Sequence, residues 1–423
     1  MTTTAEKTPS ASHGRPPRQF SILLSSFAFS NLADGLTMVL LPLMAAMASR
    51  SPLAVSLVAM GRALPWTLLA PVVGVLVERT PVRTVLVWAS LLRLIVLAAL
   101  SASLMVSGLS IPPLVAAAVA LGVLAAFYEV AAQSAVPAMV GAEQLVSANS
   151  KLTATELLLR GFLGPSAAGF IASLSFLRVS AACTVLYGIT GLVMAWLPSN
   201  PAAADGPRKR IRADIVEGMR YLRRDPLLLR FVMMTACGAM AYAAWIPVFT
   251  LYALSPGPMG LTSTGFGLAM SVAAFGGLAA TWLTARLPAS FPQTHVLAAS
   301  LVLGTGALAT PVLTARPLPN ILALMVYSGC TVAWNIITVS YRQRCTPPDM
   351  LGRINASYRA LAWSLIPLGP LVSGAVGTVA GLRPGLLFCV AISGCSLFLL
   401  PGTYRHSQAL SYPSPHEETR EAV

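Results

Sequence analysis

Asp34, Arg62, Arg93, Glu129, Glu156 and Arg160 are charged residues set inside long apolar runs. A charge in such a run is costly unless it is paired or faces water, so it marks a site with work to do. The chemistry open to them is proton binding and ion-pair switching. Burial raises a carboxyl pKa and a nearby arginine lowers it, so a pair that opens and closes moves its acid across a useful range. Counting along the runs at about 1.5 Å per residue puts Asp34 and Arg62 at one depth, and Glu129 and Arg93 at another, with Glu156 and Arg160 close by. Asp34 with Arg62 is the first candidate switch, and Glu129 with Arg93 the second. A permanent structural ion pair is the alternative for both.

The elements that position these groups follow from composition. Of 423 residues 56% are hydrophobic and 10% charged, which suits a bilayer rather than water. Twelve segments reach the roughly 20 apolar residues a spanning helix requires: 20–42, 53–77, 85–107, 112–136, 152–175, 179–197, 228–253, 262–285, 294–314, 318–341, 355–379 and 384–403. Segment 1–19 reads as a polar tail, not a cleaved signal.

The formal charge of +14 has a topological cause. Threading the spans from an inside N-terminus puts 20 of the 28 Lys and Arg on one side, so both termini are expected in the cytoplasm and no nucleic-acid partner is implied. The six cysteines show no metal-ligand spacing, and neither a metal nor a cofactor is expected. No G-x-x-x-x-G-K-[ST] is present, which argues against a nucleotide-driven pump. All three lysines lie outside the spans, against a retinal-type receptor, and no two aspartates lie close enough to suggest a membrane prenyltransferase. No enzyme activity is expected.

The chain divides near its middle. A Pro/Ala/Gly stretch followed by basic residues marks a linker at 198–227, between a six-helix bundle at 20–197 and another at 228–404, with a second tail at 405–423. Ile215, Met219 and Leu222 predict one short amphipathic helix on the membrane surface. The halves echo one another: an Asn (Asn149, Asn355) precedes a Gly-Pro pair (Gly164-Pro165, Gly369-Pro370) by fifteen and fourteen residues, with a further glycine (Gly169, Gly374) five beyond each first one. Repeated six-span halves are an architecture of secondary transporters. Gly161, Gly164, Pro165, Ala168 and Gly169 fall on one face of span five, and Gly369, Pro370, Ser373, Gly374 and Gly377 make a comparable stripe in span eleven. Such stripes let membrane helices approach closely. They are read either as packing alone or as the sliding seam between halves.

These features converge on a family. The chain resembles the major facilitator superfamily along nearly its whole length. "GVLVERTPVRTVL" (74–86) is similar to its signature loop G-x-x-x-D-R-x-G-R-R/K, with Gly74, Arg79 and Arg83 in place, Glu78 at the acidic position and Pro81 at the second glycine. "GPSAAG" (164–169) resembles the span-five antiporter motif, with Arg160 at its first glycine. The stretches 136–149, 217–229 and 349–361 look like the branch containing macrolide efflux pumps and the enterobactin exporter. The resemblance implies an all-α fold of 12 transmembrane helices in two pseudo-symmetric six-helix bundles. It also implies a carrier, expected to act as a monomer in the bacterial plasma membrane, that exports a small amphiphilic molecule in exchange for protons, the proton gradient supplying the drive. Siderophore export, uptake, or a receptor or channel on the same scaffold stay open. Glu78 is expected to meet the N-terminus of a facing helix, taken to be span eleven, and latch the cytoplasmic side; Arg79 and Arg83 as mere topological anchors is the alternative. Asn31, Phe127, Tyr242, Trp245, Tyr327, Trp334 and Asn335 lie on spans one, four, seven and ten, which line the cavity in this family, although lipid-facing or core positions suit each of them as well.

Overall fold

The computed structural model describes residues 18–404 apart from 141–143, 199–210, 289–290 and 348–349. Among the described residues it contains twelve helices long and apolar enough to cross a membrane. In lipid a backbone must satisfy its own hydrogen bonds, so each long apolar run closes into a helix. Spans one to four are Arg18–Ala48, Pro52–Arg79, Val82–Ser107 and Ile111–Met139. Spans five and six are Ser147–Leu174 and Phe176–Ala195. Spans seven to ten are Pro226–Ala253, Ser263–Arg286, Gln293–Leu313 and Pro317–Cys345. Spans eleven and twelve are Arg353–Ala380 and Leu382–Thr403. Proline stands in the first turn of spans two, four, seven and ten, where its missing N–H costs nothing. Asp225 caps span seven by accepting from the amides of Leu227 and Leu228 at 2.9 and 3.1 Å.

Several helices run past their apolar cores. Span ten continues to Cys345, which carries Arg342 onto the helix. There it is buried over the ring of Tyr358 at 4.1 Å. A charge expected in a loop is thus a buried one, stabilised by a ring face.

The linker contains a helix, Ile211–Arg224. Leu222 is wholly buried with Leu227, Phe231, Ile354 and Tyr358, so this helix docks on the C-terminal half rather than lying free on the membrane surface. Gly218 makes that approach possible, because a Cβ there would stand 2.7 Å from the Arg353 carbonyl oxygen. The side chain of Ile215 lies outside the described residues.

Three apolar cores show how the halves meet. One, far from the linker, joins both halves: Leu40, Val55 and Leu97 pack in the same cluster as Trp245, Phe249 and Leu386. On the linker side the core splits in two, with Phe20, Tyr128 and Met194 in the N-terminal half and Leu222, Phe231 and Ile354 in the C-terminal half. The molecule is therefore closed at the far face and parted toward the linker face.

The small-residue stripes divide their labour. Gly169 of span five meets Gly267 of span eight, a Cβ on Gly169 falling 2.8 Å from the Gly267 Cα. Gly374 of span eleven meets span two, where a Cβ would lie 2.6 Å from the Cβ of Ser56. Both contacts cross between halves. Gly164 instead packs on Gly35 of span one, and Gly369 on Met240 and Ala244 of span seven, each inside its own half. In span five the two jobs overlap: Gly164 packs inside its own half, while Phe162, Pro165 and Ser166 beside it already meet span eight across the seam.

Span five also holds a feature its sequence did not announce. Glu156–Leu163 forms a π-helical segment, followed at once by α-helix from Gly164. Pro165 sits in the first turn of that new α segment, so its missing donor is absorbed by a change of helix type.

Candidate transport chamber and charge network

Gly35 is the residue after Asp34, and its lack of a side chain shapes the site. A Cβ there would stand 2.8 Å from the backbone oxygen of Arg160. The close crossing of spans one and five therefore sets the Arg160 backbone beside Asp34. Four helices now converge on a single carboxylate. Asp34 faces Arg62 of span two at 3.7 Å through Oδ1, and Arg93 of span three at 3.7 Å through Oδ2. Tyr187 of span six donates its hydroxyl to Oδ1 at 2.8 Å.

The two arginines differ in freedom. Arg93 is 1% exposed, donates to Ser30 Oγ at 3.0 Å and to the Leu124 carbonyl at 3.2 Å, and lies between the rings of Tyr128 and Tyr187 at 4.9 and 5.2 Å. It is fixed. Arg62 has a 23% exposed side chain and, among the described residues, pairs beyond Asp34 with Thr37 Oγ1 at 3.5 Å. It lines the central chamber.

Glu129 has a different partner from the one its depth suggested. Arg93 is taken by Asp34, and Glu129 Oε2 faces Arg160 at 3.8 Å. Depth along two helices says nothing of which faces meet, and the close crossing at Gly35 is what brings Arg160 in. Arg160 also pairs with Glu156 at 3.1 Å, one turn earlier within the π segment. Asp34, Glu129, Glu156, Arg93 and Arg160 border one small polar pocket beside the chamber, and Asn31 lines it too, its amide donating to the Phe27 carbonyl at 2.8 Å.

The chamber itself has a volume of about 1240 Å³ and lies between the halves. Arg62 and Arg160 line it, and among the described residues no acidic side chain does. Tyr242, Tyr327, Trp334 and Asn335 line it as the sequence led us to expect, together with Gly161, Pro165 and Pro370 from the two stripes. Trp245 does not. It is 1% exposed and its indole donates to the Leu308 carbonyl at 3.1 Å, so it stands in the core behind the wall. Phe127 packs against the linker-side core of the N-terminal half. Trp66 and Trp363, which the sequence reading passed over, meet edge to face at 6.2 Å across the halves and line the chamber. Tyr187 and Gly35 were passed over as well; the glycine beside Asp34 was a usable signal, and no spacing rule marks the tyrosine.

Of the signature loop, Arg83 donates to the Ala195 carbonyl at 2.7 Å, where its charge meets the negative end of span six. Arg79 is exposed, and Gly74 has open space at its Cβ position. The Glu78 side chain lies outside the described residues.

Two six-helix halves that close around a chamber at one face and part at the other define a multi-pass membrane transporter, not an enzyme. Residues 23–370 match the Major Facilitator Superfamily, and the chain belongs to that family. It is 24% identical over 404 residues to the uncharacterized MFS-type transporter YfiS of Bacillus subtilis (strain 168), a match covering 89% of this chain and 90% of that protein. Its fold is shared with the nucleoside transporter NupG at a TM-score of 0.71 and 12% identity, covering 92% of this chain and 99% of that one. A bacterial homolog of the human lysosomal transporter Spinster, solved inward-facing and unoccupied, matches at a TM-score of 0.69 and 14% identity, over 94% and 99% of the two chains.

Proposed function

We propose that this transporter exports small amphiphilic organic molecules, of the kind represented by drugs, antibiotics and secondary metabolites, in exchange for protons. The observation that carries the reading is the Asp34 site. A carboxylate shared by one buried arginine and one partly exposed arginine can change its proton occupancy when the exposed partner moves away, and that partner, Arg62, lines the cargo chamber. Protonation of Asp34 releases Arg62 into the chamber, where it competes for space with the cargo. Deprotonation draws it back. Proton and cargo thereby exclude one another, which is the requirement for exchange.

The parted side carries the described ends of the chain, Arg18 and Tyr404, and the helix Ile211–Arg224, and the basic residues concentrated there by sequence support a cytoplasmic assignment in a bacterial plasma membrane. The chamber then takes cargo from the cytoplasm. A single chain holds both halves and the whole chamber, which supports a monomer as the working unit. Inverted membrane vesicles test the reading with ethidium and Hoechst 33342 as fluorescent cargo. The wild-type chain is expected to accumulate at least one of them on acidification of the lumen, and Asp34→Asn to abolish that response. Unchanged transport by Asp34→Asn removes Asp34 from the mechanism. Counterflow in proteoliposomes separates a carrier, which exchanges labelled for unlabelled solute, from a channel or receptor.

A further inference from the structure

The wall that the C-terminal half presents to the chamber ends a ladder of rings. Phe249 and Trp245 stack with centroids 3.9 Å apart and planes within 15°. Trp245 and Tyr242 follow at 6.3 Å and 14°, then Tyr242 and Tyr327 at 4.8 Å and 15°. Three of the rings come from span seven at spacings of four and three, so one helix face carries them. Tyr327 joins from span ten.

The ladder is fixed at one end only. Phe249 and Trp245 are each 1% exposed, and the indole hydrogen bond to Leu308 sets the plane of the second ring. Tyr242 and Tyr327 are half-buried and line the chamber. The Tyr242 hydroxyl makes no hydrogen bond among the described residues, although its ring is packed on both Trp245 and Tyr327. A polar group left unspent beside an ordered ring surface is suited to a ligand that supplies both a flat face and an acceptor. Across the chamber the N-terminal half contributes Arg62 and Arg160 to the lining.

We propose that Tyr327, backed by Tyr242, forms the stacking end of a subsite for a flat, fused-ring aromatic system that carries a hydrogen-bond acceptor, with the Tyr242 hydroxyl as its donor. Ring pairs prefer offset stacking or edge contacts that a puckered aliphatic ring of equal size cannot reproduce. Because the ladder is ordered before cargo arrives, little side-chain freedom is lost on binding, and the preference for flat molecules is fully expressed. Trp245 acts from behind: it holds the plane of Tyr242 without touching cargo. The inference rests on the export reading only for the chamber being the place where cargo binds.

Binding to the full chain in lipid nanodiscs, with empty nanodiscs as the blank, tests it. The probes are 9-anthracenemethanol and its fully saturated perhydro analogue, which have the same skeleton and the same hydroxyl. The flat probe is expected to bind about tenfold more tightly. Tyr242→Phe and Tyr327→Phe keep most of that preference, because the rings remain, whereas Tyr242→Leu and Tyr327→Leu reduce it to about twofold. Equal binding of the two probes by the wild-type chain overturns the proposal, and so does a preference that survives in both leucine variants. The phenylalanine variants and the wild-type comparison decide the matter even if a leucine variant fails to fold. Absence of proton-driven transport alongside an intact flat-probe preference would sink the export reading and leave the subsite standing.

Discussion

Arg93 and Asp34 face one another at 3.7 Å with the arginine 1% exposed, so the deepest charge in the N-terminal half is locked to its acid from one side while Arg62 approaches from the other at the same distance. This asymmetry separates stability from coupling. Removing Arg93 leaves a buried carboxylate short of its fixed partner, and loss of one member of a buried pair costs about 3–5 kcal/mol. Arg93→Gln is expected to lower the thermal midpoint in detergent sharply. Arg62→Gln leaves Arg93 and Tyr187 on Asp34, so its thermal midpoint should fall less than that of Arg93→Gln, while proton-driven transport falls at least tenfold. The two arginines have the same role if both variants unfold alike.

The far face closes on direct backbone approach as well as on the apolar core that the two halves share. Gly169 and Gly267 touch across the halves, and Leu53 donates its amide to Thr378 Oγ1 at 3.1 Å beside the Gly374 contact. A methyl group cannot enter the first contact without moving span five from span eight. Gly169→Ala is therefore expected to shift the population toward a state open at the far face. Spin labels at positions 49 and 258, on loops joined by the Arg50 to Ser255 hydrogen bond at 3.3 Å, read that opening as a longer distance. An unchanged distance distribution would remove the glycine pair from the gate.

Much of this architecture was legible because bilayer thickness and backbone hydrogen bonding leave so few choices. An apolar run of the length that reaches from Val82 to Ser107 has one structure available to it in lipid. The depth of Asp34 and Arg62 followed from helical rise alone, and they do meet. What rise cannot supply is azimuth. Glu129 and Arg93 share a level yet take other partners, because the angle at which each helix presents its side chains is set by packing at Gly35 and Gly164. Trp245 failed as a chamber residue for the same reason: three positions from Tyr242 on one helix is near enough to stack and far enough round to be buried. The π segment at Glu156–Leu163 had no sequence marker beyond the Gly-Pro pair that ends it.

Arg83 offers a contrast between fold and function in the signature loop. Its bond to the Ala195 carbonyl places a cation at the C-terminal end of span six, worth about 0.3–1 kcal/mol in such settings. Arg83→Ala is expected to lower stability by that amount and no more, read as a small fall in thermal midpoint. A loss of transport much larger than this fall would show that the residue acts in the cycle and is not only a fastening.

The linker helix gives the last test, because two contacts at one place differ greatly in strength. Arg353 and Glu217 form an ion pair at 2.9 Å, with side chains 42% and 46% exposed. Exposed pairs contribute about 0–1 kcal/mol, so Glu217→Gln should leave the helix docked. Gly218, one residue on, packs directly on Ser357 and the Arg353 carbonyl, and Leu222 is fully buried. Gly218→Val has no room to adjust against backbone and should lift the helix from span eleven. Limited trypsin digestion reads the difference at Arg220, Arg223 and Arg224: cleavage at wild-type rate in Glu217→Gln and several-fold faster in Gly218→Val. Equal protection in the two variants would mean that neither contact holds the linker, and that Leu222 alone anchors it.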